Sequence, residues 1–567
     1  MPAGTPRPPR SPSIDSGTLT GRLAAWKSRY GAAGTGSLDK LLARARTHRC
    51  RTAAELIRLH ETLLFLRAYP HTPAVARLAD AALFPMAGRV AALAAAGADL
   101  SPFEDPEVSG IAGTSFSAAF SYEVARRLAA RYPALEIDWD EREAIERLGP
   151  VARRFIPLVE EDWPVEAHPP YRRWIESGVP RGTTALRWLL GRIARLPLDE
   201  RGLADLYESL QLLVRWDLND IPRSRSRLRV KGPALFCHTE PLLKRRDVVL
   251  AEALAGPPLP VARVRGREAA RILDIILDTS AMRYRELYGF THPDAARVYR
   301  ADAGRGVEIF YFGVPPEWRL PLRAYHGGLF VKNGVPAGYV EVLSLFERAE
   351  VGFNLYYTFR EGESAWLYAR LLRLFRQVLG VNVFSVDPYQ IGYENEEAID
   401  SGAFWFYRKL GFRPVEPEIA RLAGREERRM LLSPDSRSTA RTLRKMAEGY
   451  ILFEGPDAEA RVWDRFRVRN LGFAVQREAA RRHGGEPGRM ARWAEARVSR
   501  ALGIGATGPL AHCLALIGDL ERWTPVEKSA LIAILEAKRG PSEARYLRLM
   551  QQHPRLRAAF LRLGSKG

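Results

Sequence analysis

The sequence predicts a mixed α+β protein, in which a mixed β-sheet domain with helices is flanked by mostly α-helical N- and C-terminal regions. Helical spacing of apolar residues dominates 20–240 and 455–567, whereas strand-like alternation is concentrated in 261–454. The pair Asn333-Gly334 lies between two strand-like runs, and both residues tolerate positive φ. This pair therefore predicts a two-residue hairpin inside the sheet.

Length and composition predict a folded, soluble protein of several domains. The chain has 567 residues, of which 46% are hydrophobic and 27% charged. Its formal charge of +20 makes nucleic acid a possible partner, although arginine spread over the whole surface by coding bias is the favoured explanation. Cys50, Cys237 and Cys513 form no C-x-x-C pair, which predicts a reducing cytoplasm and no metal site. The apolar run near residues 90–97 is too short to span a bilayer, so no membrane is expected.

Four regions follow from these patterns. Residues 1–18 are rich in Pro, Ser and Arg and predict a disordered tail. A helical domain of unassigned role covers 19–240, the sheet domain covers 241–455, and a C-terminal helical domain covers 456–567. Within the first, 223–229 carries arginine at every second residue; a solvated linker is favoured over a strand because Pro and Ser are interleaved.

The sheet domain contains alternating strand and helix patterns. The sequence His326-Gly327-Gly328 is typical of a turn. The predicted strands are 261–264, 307–314, 328–332, 335–346, 351–359, 381–387 and 450–454, and the predicted helices are 268–278, 293–300, 364–379 and 396–410.

Two segments of this domain resemble motifs of the GNAT acyl-CoA N-acyltransferases. The first, YYTFREGESAWL (356–367), resembles the strand-to-helix turn that holds the cofactor's pyrophosphate. A helix N-terminus offers free N–H groups to a phosphate, and small residues let the phosphate approach the backbone. The alternative is an ordinary strand-to-helix turn, in which the acidic Glu361 and Glu363 stabilise the positive end of the helix dipole. The cofactor-binding residues implied here are Tyr357, Thr358, Phe359, Arg360, Gly362, Ser364 and Ala365.

The second segment, AFWFYRKLGFRPV (403–415), is similar to the family's helix ending in a Tyr-x-x-x-Gly-Phe turn. The resemblance implies that Tyr407 protonates the departing CoA thiolate, a task that suits a phenol protonated at neutral pH. The alternative is that Tyr407 belongs to an aromatic run that packs the helix on the sheet.

The resemblance also requires a way to free the acceptor amine for attack. Glu341 and Asp387 are the candidate bases, and direct deprotonation by water is a third possibility. Asn395 and Asp400 lie where the family often has an asparagine that contacts the cofactor's pantetheine arm. Residues 416–449 are an insertion that delays the last strand and could cover the cleft or offer a partner surface.

Together these observations predict an N-acyltransferase that moves an acetyl or longer acyl group from acetyl-CoA or another acyl-CoA to an amine. Small amines, aminoacyl-tRNA, peptide N-termini and lysine all stay open as acceptors, as does the oligomeric state. The alternative is a catalytically degenerate GNAT-like fold that binds nucleic acid or protein.

Overall fold

The computed structural model describes residues 17–31, 35–139, 147–148, 151, 154, 171–219, 221–232, 234–283 and 287–566. The fold class is mixed α+β, with a large mixed sheet and helical flanks, as predicted. The predicted disordered tail lies outside the described residues except for Gly17 and Thr18.

The chain begins with five helices. Thr52 and Thr72 start the third and fourth of them, because each side chain accepts a hydrogen bond from the backbone three residues on. The third helix is predicted by the helical spacing of Leu56, Leu59, Leu63 and Leu66. The five are α1 (Leu19–Ala24), α2 (Thr35–Ala45), α3 (Ala53–Ala68), α4 (Pro73–Leu83) and α5 (Met86–Ala95).

The 23-residue run Pro73–Ala95 is the one stretch among the described residues that is long and apolar enough to cross a membrane, and an 18-residue window within it has a mean hydropathy of 1.4. A turn at Phe84-Pro85 divides it into α4 and α5. Core helices of soluble proteins meet the same criteria, so this single run is weak evidence for a membrane segment.

A small sheet follows and, within the described residues, four α-helices. The strands β1 (Ser115–Ala119), β2 (Glu136–Ile137) and β3 (Leu213–Asp217) pair antiparallel in the order β1-β3-β2. The helical spacing of residues 203–216 predicts a single helix, and this prediction is wrong in its second half, since β3 begins at Leu213. The helices are α6 (Tyr122–Arg131), α7 (Tyr171–Gly178), α8 (Ala185–Ile193) and α9 (Glu200–Ser209).

The arginine-rich segment 223–229 forms neither helix nor strand, but it is not a solvated linker. Arg225 is buried and donates a 2.7 Å hydrogen bond to Glu61 of α3, and Ser224 and Ser226 are buried beside it. The prediction of a solvated segment is therefore wrong, because a buried carboxylate on a distant helix compensates the arginine charge.

The central sheet has nine strands in the order β11-β12-β10-β9-β8-β7-β6-β5-β4, and its pairs are antiparallel except β9 with β10. The predicted hairpin is confirmed, since Asn333 and Gly334 have φ of 49° and 77° between β7 and β8. The strands are β4 (Val261–Val264), β5 (Val298–Gly304), β6 (Val307–Gly313), β7 (Ala324–Lys332), β8 (Val335–Leu345), β9 (Arg348–Leu355), β10 (Val383–Val386), β11 (Arg413–Pro414) and β12 (Ile451–Glu454).

Several helices connect these strands, and three predictions here need correction. The predicted turn at His326-Gly327-Gly328 is wrong, because these residues lie inside β7. The predicted helix 293–300 is also wrong, because this segment contains only a 3₁₀ turn before β5. The predicted helix 396–410 is broken at Gly402, whose φ is positive. The helices are α10 (Leu250–Ala255), α11 (Gly266–Arg283), α12 (Tyr288–Thr291), α13 (Ser364–Leu379), α14 (Pro388–Ile391), α15 (Glu396–Asp400), α16 (Ala403–Arg408), α17 (Pro417–Leu432) and α18 (Ala440–Met446).

The sheet is covered on both faces. α11 packs on one face through Ile272 and Ile276, which share a cluster with Phe310 and Phe312, whereas α13 packs on the other face. The C-terminal helices are α19 (Val468–His483), α20 (Pro487–Leu502), α21 (Pro509–Leu514), α22 (Pro525–Arg539), α23 (Glu543–Gln551) and α24 (Pro554–Gly564).

One hydrophobic core joins the three parts of the chain. It runs from Leu23 through the α13 face of the sheet to Phe560. The sequence predicts Trp463, Trp493 and Trp523 as core anchors; Trp463 and Trp523 are buried in this core, whereas Trp493 is half-buried and packs against it. The small sheet and α6–α9 have a separate core that touches α11 through Leu277 and Met282.

Candidate functional site

The strands β9 and β10 separate soon after they pair. Arg348–Glu350 pairs with Val383–Ser385, and beyond this β9 continues to Leu355, where the described strands give it a partner only on the β8 side. A splayed parallel pair leaves backbone N–H and C=O groups available to an extended ligand. The site is therefore built around this open edge.

Glu341 lies on β8, beside the part of β9 that has separated from β10; we call this separation the splay. Its directly opposed residues are Gly327 on β7 and Gly352 on β9, so no neighbouring side chain stands beside it on that face of the sheet. A Cβ atom at Gly327 would meet Phe312 at 2.7 Å, whereas one at Gly352 would meet nothing closer than 3.8 Å. The β7 side of Glu341 is thus closed by Phe312, whereas the β9 side has room for a Cβ atom at ordinary contact distance from Glu341 and Gln390.

The environment of Glu341 suits a base. Burial raises the pKa of this half-buried carboxyl above its ordinary value, and the hydrogen bond that it accepts from the Tyr325 hydroxyl partly opposes the rise. The same hydroxyl accepts a 3.2 Å hydrogen bond from the Gly289 backbone, which fixes its position. A carboxylate with a raised pKa is a better acceptor for the proton of an amine.

Asp387, the second predicted base, already uses both carboxylate oxygens. One accepts from the Tyr389 backbone at 2.9 Å and begins α14, and the other accepts from the Tyr450 hydroxyl at 3.1 Å. This geometry is that of a helix cap, and it leaves Asp387 less free than Glu341 to take a proton.

Tyr407 is 3% exposed, and its ring packs edge-on against Tyr368, Phe406 and Phe412. Burial raises its pKa above the ordinary value, so the phenol stays protonated. The protonation state suits an acid, but the enclosure favours the packing role that the aromatic run also predicted.

The turn before α13 is occupied by protein groups. Glu363 is 2% exposed and accepts two hydrogen bonds from Arg305, and Lys332 lies 3.7 Å from it. Burial lowers the pKa of Lys332 to about 7, and Glu363 opposes that shift. The anion at this helix N-terminus is therefore a side chain of the protein itself.

The backbone of the same turn packs against α3 and its following residue. A Cβ atom at Gly362 would lie 2.6 Å from the Tyr69 hydroxyl, which also contacts the backbone of Glu363. Glycine is required here so that Tyr69 can approach, and the tyrosine hydroxyl stands where a phosphate oxygen was expected. A pyrophosphate does not fit this turn as it is arranged.

Arg360, the predicted cofactor cation, is held between two carboxylates. Its guanidinium donates to Glu397 and, at 3.2 Å, to Glu107. Burial raises the pKa of Glu107 to about 7, with Arg360 opposing and Glu397 reinforcing the shift. The charge of Arg360 is thus already compensated by side chains.

The other predicted cofactor residues are scattered. Thr358 is buried and hydrogen-bonds Glu61 and Arg225, while Phe359 is fully buried. Tyr357 is 47% exposed next to them. The last two members of the segment stand at the start of α13: Ser364 is its first residue, half-buried, and Ala365 is buried.

Asn395 and Asp400 lie at opposite ends of α15. Asn395 begins the helix by accepting from the Ala398 backbone at 3.2 Å. Asp400 is exposed and lines a groove of about 970 Å³ between α15–α16 and the insertion, together with Trp405 and Leu443. The structure therefore separates this predicted pair.

Sequence reasoning missed Tyr325, Tyr69 and Glu107. Tyr325 precedes the His-Gly-Gly segment that was assigned to a turn, and the other two are far from the motifs along the chain. The structure also brings together three residues of the metal-ligand type that the sequence did not indicate: His48, Cys50 and Glu55. Burial raises the pKa of the Cys50 thiol to about 11, which disfavours the thiolate that a metal needs.

Comparison of the chain with protein-family models, with curated proteins and with solved structures found no match.

Proposed function

We propose that the protein is an N-acyltransferase that joins an activated acyl group to an amine at the splay between β9 and β10. The observation that carries the proposal is the stretch of β9 beyond Glu350 that contains Gly352 and pairs with no described strand on the β10 side, with Glu341 beside it. The strand order is compatible with it, because the delayed last strand, β12, lies next to β10 of the parallel pair that separates.

In this proposal Glu341 accepts the proton of the acceptor amine, so that the nitrogen lone pair can attack the acyl carbonyl. The C–N bond forms while the bond from the acyl carbon to the donor's leaving group breaks; the leaving group departs with that electron pair and takes a proton from water. Tyr325 is a positioning residue, since its hydroxyl fixes the Glu341 carboxylate. The edge of β9 from Val351 to Leu355 offers backbone groups to an extended donor. Acetyl-CoA or another acyl-CoA is the donor that the resemblance implies, but its pyrophosphate does not fit the turn that Glu363 and Tyr69 occupy.

The test combines donor binding with product detection. Acetyl-CoA is titrated into the full chain by calorimetry, and acylated products of a panel of amines are followed by mass spectrometry. We expect Glu341→Gln to lower turnover by about 100-fold or more. The matched variant is Asp387→Asn, which can still begin α14 through its amide oxygen and donate its amide N–H to the Tyr450 oxygen, and it should keep turnover. Equal losses in both variants, or no loss in Glu341→Gln, would contradict the assignment.

The second candidate is a binding module without acyl transfer. The buried Glu363, the Tyr69 hydroxyl at Gly362 and the two carboxylates on Arg360 favour it, because all three oppose a phosphorylated cofactor. Absence of heat with millimolar acetyl-CoA, together with absence of any acylated amine, would decide for this candidate.

A further inference from the structure

The positive charge of the protein is concentrated near its C-terminus. Residues 456–567 hold 21 of the 86 Lys and Arg but 11 of the 66 Asp and Glu, so a fifth of the chain carries half of the net charge of +20. Uniform arginine usage does not produce such an excess. A basic region of this kind is the electrostatic footprint of an anionic partner.

The outer face of α20 displays this charge in a single stripe. Arg489, Arg492 and Arg500 are exposed and share the stripe with Ala496, at the spacing that puts residues on one side of a helix. The opposite side is buried. From Arg489 to Arg500 the helix rises about 16 Å, over which one strand of a duplex places about five phosphates.

These arginines are largely free of protein partners. Arg492 and Arg500 have no hydrogen bond or ion pair in the part of the chain that the structure describes, and Arg489 reaches Glu486 only at 4.0 Å. An exposed pair at that distance contributes little to stability. The stripe therefore offers guanidinium groups whose donors are available to another molecule.

The preceding helix α19 adds exposed arginines at 477, 481 and 482. Arg481 and Arg482 share Glu478, whereas Arg477 has no ion-pair partner within the described residues. The hairpin of α19 and α20 carries eight arginines and three glutamates between residues 468 and 502, and one of the glutamates, Glu495, is turned to the Gly508 backbone.

We propose that the α19–α20 hairpin binds the phosphate backbone of a nucleic acid, independently of its sequence. Guanidinium groups bind phosphate oxygens in pairs of hydrogen bonds, which suits the free stripe. A membrane surface fits less well, because helices that lie on bilayers insert large apolar residues. The α20 stripe holds only alanine besides arginine, Met490 and Val498 are buried, and Trp493 is half-buried beside the guanidinium groups of Arg482 and Arg497. On α19, Phe473 is 51% exposed on the side of Arg477 and Arg481, so the described part of the hairpin offers a bilayer a single large apolar residue.

The test uses the full chain, a labelled 20-nucleotide RNA and a labelled 20-base-pair DNA of mixed sequence. Fluorescence anisotropy is measured between 50 and 200 mM salt for the wild type and for the triple variant R489Q/R492Q/R500Q. Each phosphate contact steepens the dependence of log K on log salt by about 0.7 to 0.9, so the triple variant should lose about 2 to 3 from the slope. Affinity at 50 mM salt should fall by at least about tenfold.

Two further proteins make the result specific. The triple variant R173Q/R195Q/R201Q removes the same charge from exposed positions on and beside α7–α9 and should keep the wild-type slope. The variant R489K/R492K/R500K keeps the charge of the stripe and should stay close to the wild-type slope. Circular dichroism checks that all variants are folded.

Three outcomes would overturn the proposal. The first is no binding of either nucleic acid at 50 mM salt, and the second is an equal loss in the two glutamine variants. The third is binding to vesicles with 20% phosphatidylserine, lost in R489Q/R492Q/R500Q, without binding to nucleic acid. The proposal does not depend on acyl transfer, so an inactive splay would leave it standing.

Discussion

Replacing Glu363 by glutamine tests the buried charge cluster at the start of α13. Glu363 is 2% exposed, accepts from Arg305 and from the Leu243 backbone, and lies 3.7 Å from Lys332, which is 1% exposed. Glutamine keeps the shape and one acceptor oxygen, so the change removes mainly the negative charge. Lys332 and Arg305 then remain in a dry environment without their counter-ion.

The expected loss follows from the burial of the cluster. Removing one partner of a buried ion pair costs about 3 to 5 kcal/mol, and Lys332 can escape part of this cost by losing its proton, since its pKa is already about 7. We therefore expect the free energy of unfolding to fall by about 3 kcal/mol at pH 7. Urea titration of the full chain, followed by circular dichroism, measures it.

The matched control lies two residues away. The Glu361 side chain is 67% exposed and pairs with Lys27 at 2.6 Å on the surface, so Glu361→Gln should cost less than about 1 kcal/mol. If Glu363→Gln is no more destabilising than Glu361→Gln, the cluster does not hold the start of α13 to Arg305 and Lys332 of the central sheet, and the argument fails.

Three more predictions follow from the same region and from the splay. The pKa of Lys332 is about 7 in the folded chain and 10.5 in the unfolded chain, so between these pH values the unfolded chain binds one more proton. The free energy of unfolding of the wild type should therefore rise with pH in this range, by at most about 1.4 kcal/mol per pH unit. Urea titrations at pH 7 and 9 should show a smaller rise in Lys332→Met. Gly352→Val should fill the space beside Glu341 and reduce acyl transfer by about 100-fold, with little change in stability because valine suits a strand. Its control, Gly313→Val, adds a side chain where nothing lies within 4 Å and should leave turnover unchanged, so equal activity of the two variants would contradict the assigned site. Tyr407→Phe should keep turnover within about tenfold, whereas a loss of about 100-fold or more would show that the buried phenol reaches the donor.

Local features of the central sheet were predictable from the sequence. The hairpin at Asn333-Gly334 and the helix 364–379 are confirmed, and the helix ends where Gly380 adopts a φ of 73°. Hydrophobic period and turn chemistry report such features because they depend on neighbouring residues. The broken helix at Gly402 shows the limit, since apolar spacing continued across a residue whose backbone turns to positive φ.

The candidate site was predictable only in part. Glu341 was a candidate from the sequence, but the opposed Gly327 and Gly352 that give it space depend on strand register. Thr358 and Glu61 are 297 residues apart along the chain, and no local pattern reports their hydrogen bond. Such long-range pairs decide whether a turn is free for a phosphate or filled by protein.

The core that runs from Leu23 to Phe560 has a practical consequence for producing parts of this protein. A fragment limited to residues 241–455 would expose to solvent the apolar surface that the first and last helices cover. It would also expose the buried pair of Lys332 and Glu363. Such a fragment should aggregate when expressed alone. A fusion protein that contains the central sheet would likewise need to include both the N-terminal and the C-terminal helices.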